Sequence, residues 1–498
     1  MASIYLKTCS ADSLQGELLN IHLVSRDNQV IPGQITYEDE MIVVNSATEN
    51  NVAICLLYDI GKAGRLMLQT GILTPREHPY MLAQELARHR IKLFLDMCEN
   101  WSLFHLEDHH HAVQKWEESR VTFTNSLVAE GDTESAILAR QSLELGISAT
   151  DSLALTHAQI LLYKRYGKKP ASSPILGVNV NPVQFGESLQ EIIAKHIDIV
   201  QIPIEWSQVE NSPGKYNWDL VDRWVLWARN SKKHIIAGPL IDFAKPGALP
   251  SWVREEEHDF AKLRDACYSY VEQAVNRYGG AISFWSVISG ININSQIALT
   301  LNHMIDLIRT VNLVVRQKLK KAKVMIEIAH PFSEFVTSKR DSCNASVLVA
   351  RLSQEGVRLD ALGVQLLIGS SGGRSVRDLM ILSAKLDEFI YAELPVIVSA
   401  LGAPSETVSQ THGWWKSGWS EHVQEKWAEH LFAIALSKPF VNSVIWSDLY
   451  DYPRMNLPTS AFVSAHGKPR AVLGKLVKMR RRLNKPLGEL ETLEESST

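Results

Sequence analysis

The sequence predicts a (β/α)8 barrel preceded by a small β-rich module and a helical hairpin. Three observations carry that expectation. The first is Phe284-Trp285-Ser286-Val287-Ile288-Ser289-Gly290, a short apolar run without helical period, set off by the turn pair Gly279-Gly280. Such a run reads as a strand buried on both faces. The second is recurrence: a long helical pattern follows the run, and seven further stretches of the later chain repeat the unit of strand, loop and helix. Eight such units make a barrel whose chemistry sits where strands end and loops begin, and Gly290 falls at that place. The third is length, since 498 residues exceed one ordinary core and leave room for other domains ahead of the barrel.

Bulk properties narrow the function classes. A net charge of -4 with both signs mixed gives no reason to expect nucleic acid or an acidic membrane as partner. No signal segment and no apolar run of membrane length is apparent, which suggests a cytoplasmic protein. The five cysteines (Cys9, Cys55, Cys98, Cys267, Cys343) are scattered without a CxxC pair, as expected of reduced thiols rather than a disulfide or zinc framework. No cofactor motif is present and no metal is expected.

In chain order, residues 1–78 alternate apolar and polar positions in short runs such as Met41-Ile42-Val43-Val44, and read as a small antiparallel sheet or sandwich. A structural cap is preferred over a carbohydrate-binding module, because no exposed aromatic row is apparent. Residues 79–166 read as a helical hairpin. Pro79 suits a first helical turn, followed by Leu82, Leu86, Leu93 and Met97 at helical spacing; a second pattern runs from Thr133 to Leu161. This hairpin is a candidate surface for homo-oligomer formation. His105 and His109-His110-His111 read as a solvated face, since consecutive histidines point in different directions. Tyr166 to Pro174 is a linker by its Gly, Pro and Ser content.

The barrel spans 174–484. Its strands are expected near 175–180, 199–206, 234–241, 284–289, 323–329, 361–368, 395–401 and 441–449. Helical patterns lie between them, most clearly over 301–319, and 473–482 closes the ring. Residues 485–498 are acidic and rich in Ser and Thr, and are expected to be disordered.

Several of these stretches resemble family-10 glycoside hydrolases, the xylanases. Trp206 with Val209-Glu210-Asn211-Ser212-Pro213-Gly214-Lys215-Tyr216-Asn217-Trp218 resembles the family's second barrel unit. Leu249-Pro250-Ser251-Trp252-Val253 resembles the loop after strand three, and Leu362-Gly363-Val364-Gln365 resembles strand six. Val444-Ile445-Trp446-Ser447-Asp448 with Gly467-Lys468-Pro469-Arg470-Ala471 resembles strand eight and the closing helix. The resemblance implies a polysaccharide or oligosaccharide partner and two glutamates, one at the end of strand four and one on strand seven. In a retaining mechanism such carboxyls stand about 5 to 5.5 Å apart. Here those positions hold Gly290, after Ser289, and Ala400. The resemblance therefore implies a degenerate glycosidase that binds carbohydrate or serves as a scaffold. Rival readings are an active hydrolase using displaced carboxylates (Glu205, Asp242, Glu327, Glu393, Asp448) and a structural protein without ligand. The residues expected around a saccharide are Glu205, Trp206, Asp242, Trp252, Gln365, Trp414, Trp415, Trp446 and Asp448, with Phe243 and Trp419 as further groove aromatics.

Overall fold

In a computed structural model the chain is described over residues 3–9, 18–47, 50–255, 259–293, 296–337, 342–370, 374–407, 409–453 and 455–487. The barrel strands are Leu176–Asn179, Ile199–Ile202, His234–Ala237, Phe284–Ser289, Lys323–Ile328, Ala361–Leu367, Val396–Gly402 and Val441–Trp446, called strands one to eight below. All neighbours pair in parallel, strand one beside strand eight, and Ile236 opposite Phe284 closes the ring between strands three and four. Strand two is shorter than expected: it ends at Ile202, and Trp206 opens a one-turn helix, Trp206–Val209. A helix over Glu187–His196, which the sequence pattern did not reveal, follows strand one.

Inward-facing residues alternate along a strand, so the bore is layered. Its lower layer is apolar, with Ile199, Ile236, Met325, Ala361, Ile397 and Ile445 packed together against Phe284. Two residues further along, the same faces present Gln201, Ser286, Glu327, Gly363, Ser399 and Ser447. A packed floor thus supports a polar layer at the C-terminal end, where the loops begin.

Residues 79–166 form three helices rather than a hairpin: α1 (Leu82–Asn100), α2 (His111–Val128) and α3 (Asp132–Tyr166). The helix begins at Leu82 because Tyr80-Met81 is an edge strand, paired in parallel with Leu6-Lys7. The middle helix escaped the periodicity reading because it buries little apolar surface: Ala112, Ser119 and Ser126 are its buried residues. It meets α3 through hydroxyls, Ser119 Oγ donating to Ser142 O at 2.7 Å. Close approach is permitted by Gly146 of α3, where a Cβ would stand 3.1 Å from Ser119 Oγ of α2 and 2.8 Å from Arg90 Cγ of α1. His110 caps α2 by accepting from Ala112 N–H at 3.2 Å, and exposed His109 pairs with Glu107.

The N-terminal region forms two sheets, one ordered Gly33–Glu38, Met41–Ser46, Ile4–Lys7 and Tyr80–Met81. The other runs Trp414–Trp415, Gly64–Gln69, Ala53–Asp59, His22–Val24 and Val30–Ile31. Its edge strand Trp414–Trp415 comes from the barrel's loop after strand seven, so the module is stitched to the barrel by backbone pairing. A second tie is the buried pair Arg90–Asp378, with guanidinium-to-carboxylate distances of 3.0 and 2.8 Å, linking α1 to the helix after strand six. At the other end, Leu487 N–H donates to Tyr166 O at 3.1 Å; the expected disordered tail otherwise lies outside the described residues from 488 onward.

Candidate functional site

The polar layer of the bore opens into a cavity of about 420 Å³ at the C-terminal ends of the strands. Its wall includes Asn179, Gln201, Glu205, Trp206, Asp242, Lys245, Glu327, Gln365, Ala400, Asp448 and Tyr452. Each carboxyl in it has a distinct environment.

Glu327 is the centre of the polar layer and is 2% exposed. Its Oε1 accepts from Gln201 Nε2 at 3.0 Å and Ser286 Oγ at 2.6 Å, and its Oε2 from Gln365 Nε2 and Ser399 Oγ, both at 2.9 Å. Gly363 makes room for it, since a Cβ there would lie 2.8 Å from Glu327 Cγ. Burial holds its pKa above the usual carboxylate range, opposed by these hydrogen bonds. The inward acid of strand five thus has partners from strands two, four, six and seven.

Glu205 follows strand two and is ion-paired with Lys245 from the loop after strand three. Asp242 uses Oδ1 to accept from the backbone N–H groups of Ala244 (2.8 Å) and Lys245 (3.0 Å), which fixes that loop. Its pKa is raised by burial. Asp448, beyond strand eight, is hydrogen-bonded by Tyr452 and Ser447, yet burial pushes its pKa up to about 8. At neutral pH it is mostly protonated.

Ala400 lies in the cavity wall, opposite Gln365 in the register of strands six and seven. Gly290 immediately follows strand four, where its N–H donates to Glu327 O at 3.0 Å. It has φ +63°, and a Cβ there would stand 2.4 Å from Ala244 Cβ and 3.0 Å from Ala244 N. The backbone at this position has the shape of a glycine site.

Of the residues expected around a ligand, Glu205, Trp206, Asp242, Gln365 and Asp448 meet at this cavity, and Trp252, Trp414, Trp415 and Trp446 do not. Trp446 is fully buried and stacks on Phe462 at 5.3 Å. Trp252 packs edge-on against Trp206 at 5.8 Å. Trp206 itself is 1% exposed, stacked on Tyr270 at 4.7 Å, with its Nε1 donating to Glu210 at 2.7 Å, so it is mainly a packing residue. Trp414 and Trp415 lie outside this cavity, in the edge strand that docks the N-terminal module, and Trp415 is 1% exposed. Trp419 is buried against Trp427, and Phe243 is buried as well. Glu393 precedes strand seven, at the end of the barrel away from the cavity. Asn179, Lys245, Tyr452 and Asn456 line the cavity without having been singled out; Asn179 could have been found as the polar residue that ends an apolar strand.

Residues 171–452 match the model of glycosyl hydrolase family 10. Among curated proteins, endo-1,4-beta-xylanase B of Humicola insolens is 26% identical over 85 residues, which is 17% of this chain and 23% of that protein. The chain thus spans about a quarter of that relative's length. Among solved structures, xylanase B from Clostridium stercorarium F9 superposes with a TM-score of 0.47 at 16% identity, over 64% of this chain and 98% of that one. Xylanase 10B from Thermotoga petrophila RKU-1, in complex with xylobiose, gives 0.47 at 13% identity, over 65% and 97%.

Proposed function

The chain belongs to glycosyl hydrolase family 10, and we propose that it binds a saccharide in the barrel mouth without hydrolysing it by the two-carboxylate route. The observation that carries this reading is Ala400 in the cavity wall, at the position where the resemblance calls for the nucleophile. A methyl group cannot attack an anomeric carbon. The partner position, Gly290, supports the same reading, because its positive φ and its contact with Ala244 disfavour any side chain.

The remaining carboxyls do not replace the lost pair. Glu327 has four donors and sits in the floor. Glu205 is held by Lys245, and Asp242 by two backbone amides. Asp448 has the protonation of a general acid at neutral pH, which favours the displaced-carboxylate reading to that extent. A lone acid contributes about 10²- to 10⁴-fold, far below the 10⁶-fold or more of complete enzymes. It would still need a base or nucleophile across the sugar. The polar wall, by contrast, suits binding: Asn181, Gln208, Tyr452 and Asn456 offer hydrogen bonds to hydroxyls, between apolar patches at Pro239, Pro246 and Leu367.

Calorimetric titration of the full chain with β-1,4-linked di- to tetrasaccharides, with product analysis of the same samples, tests the proposal. Saturable binding with intact sugar is expected. No binding of any saccharide would overturn it, as would stoichiometric excess of cleaved product.

A further inference from the structure

A second cavity lies where the N-terminal module, α3 and the barrel meet. It measures about 590 Å³, a size suited to a small molecule, and shares no described lining residue with the barrel mouth. Helix α3 supplies one wall, with Glu144, Ile147, Asp151 and Leu155 at helical spacing along one stripe. Another wall is the seam between the module and the loop after strand seven. There Trp415 pairs with Gly64, and Lys416 N–H donates to Ala63 O at 3.0 Å. That pairing brings Lys62 and Lys416 to the same cavity, although they are far apart in the chain. Buried Ile147, Leu155, Leu379 and Trp415 make part of the lining apolar.

The two ammonium groups lack a carboxylate of their own. Among the described residues, neither Lys62 nor Lys416 enters an ion pair; the Lys416 ammonium rests 4.7 Å from the centre of the Trp415 ring. Both side chains are exposed, so a ligand in the cavity can reach them. The carboxyls of the α3 wall offset them only in part. Asp151 Oδ1 accepts from the backbone N–H groups of Leu379 (2.9 Å) and Met380 (3.3 Å). Burial, with Asp378 nearby, raises its pKa to about 7, so at neutral pH it is close to half protonated. Glu144 supplies the other negative charge. His430, also in the lining, is neutral: burial pushes its pKa down to about 3, and Lys416, Lys426 and Lys475 push the same way, Lys475 being shared with Glu425 and Glu429. The balance leaves a small positive excess, suited to one added negative charge rather than two.

We propose that this seam cavity is a second ligand site, and that its occupant is a singly charged organic carboxylate with an apolar body. The carboxylate meets the Lys62 and Lys416 ammonium groups, and the body lies against Leu155, Leu379 and Trp415. The proposal is independent of the saccharide-binding reading above, because the two cavities have separate linings.

Calorimetric titration of the full chain with 1-naphthaleneacetate and its neutral counterpart 1-naphthaleneacetamide tests it. The acid is expected to bind about tenfold or more tighter than the amide, with the difference shrinking as salt rises. Lys62→Met and Lys416→Met keep the apolar stems; each is expected to weaken the acid about threefold or more and to leave the amide unchanged. Ser148→Trp, at an exposed position of the lining, is expected to fill the cavity and exclude both probes. Failure of the acid to bind, or equal affinity for acid and amide, would overturn the proposal. So would a preference for the acid that survives both lysine variants, or binding untouched by Ser148→Trp, because either would put the ligand elsewhere.

Discussion

Replacing Gly290 by alanine probes the feature that makes the strand-four position unfit for an acid. Two costs are readable from the geometry. An L-residue at φ +63° gives up about 1–2 kcal/mol. The new methyl would also stand 2.4 Å from Ala244 Cβ and 3.0 Å from Ala244 N, an overlap that the loop has to relieve by shifting. Overpacking of this kind costs about 1–3 kcal/mol. Gly290→Ala should therefore destabilise the chain by about 2–5 kcal/mol. Adding Ala244→Gly removes the nearest clashing atom but not the backbone strain, so the double variant should recover the overpacking share and remain about 1–2 kcal/mol below wild type. Urea unfolding followed by tryptophan fluorescence reads both, since Trp285 lies five residues earlier, on the strand that leads into Gly290, and is fully buried. A single variant within about 0.5 kcal/mol of wild type would refute the reasoning, because surface-like tolerance is incompatible with a glycine site. The same arithmetic implies that restoring glutamates at positions 290 and 400 will not simply rebuild an active site: the first of them has to clear Ala244.

Other expected outcomes follow from the same contacts. Glu327→Ala leaves two amide and two hydroxyl donors without their acceptor and should cost about 3–5 kcal/mol, with Glu327→Gln costing less, measured by the same unfolding. Asp448 has its folded pKa raised to about 8 against an ordinary value of about 3.9, so the stabilisation of its neutral form is complete below about pH 4 and is lost as pH rises to about 8. Asp448→Asn should therefore raise the melting temperature relative to wild type at pH 8.5 and change it little at pH 4; the opposite pattern would contradict the assigned environment. Arg90→Met strands the buried Asp378 carboxylate and should cost about 3–5 kcal/mol, and adding Asp378→Asn should recover part of it.

The barrel was legible because each of its strands is an apolar run bounded by turn residues, and register then follows from the parallel ring. The four partners of Glu327 were legible in principle. Each is a single polar residue inside such a run, as in Ile199-Val200-Gln201-Ile202 or Val396-Ile397-Val398-Ser399. What no local pattern conveys is that these isolated residues converge on one carboxyl group, since that depends on the stagger of five strands. The same holds for Trp414–Trp415. Two tryptophans beside glycines have the look of a sugar platform, and only their pairing with Gly64-Arg65, some 350 residues earlier, reveals an edge strand. The helix α2 stayed hidden because serine hydroxyls, not an apolar stripe, fix it to α3. The sequence shows that glycine and alanine stand at 290 and 400, where the resemblance calls for glutamates; that Ala244 occupies the space beside Gly290 it does not show.

The most direct measurement of the central claim is chromatographic product analysis of xylotetraose and cellotetraose after prolonged incubation with the full chain purified to homogeneity, beside Asp448→Asn and Glu205→Gln. Intact tetrasaccharide in every sample, with binding demonstrated by titration, is the predicted result. Cleavage by the wild type that either single substitution abolishes would contradict the account, because it would mean that the carboxylates remaining in the mouth perform the chemistry.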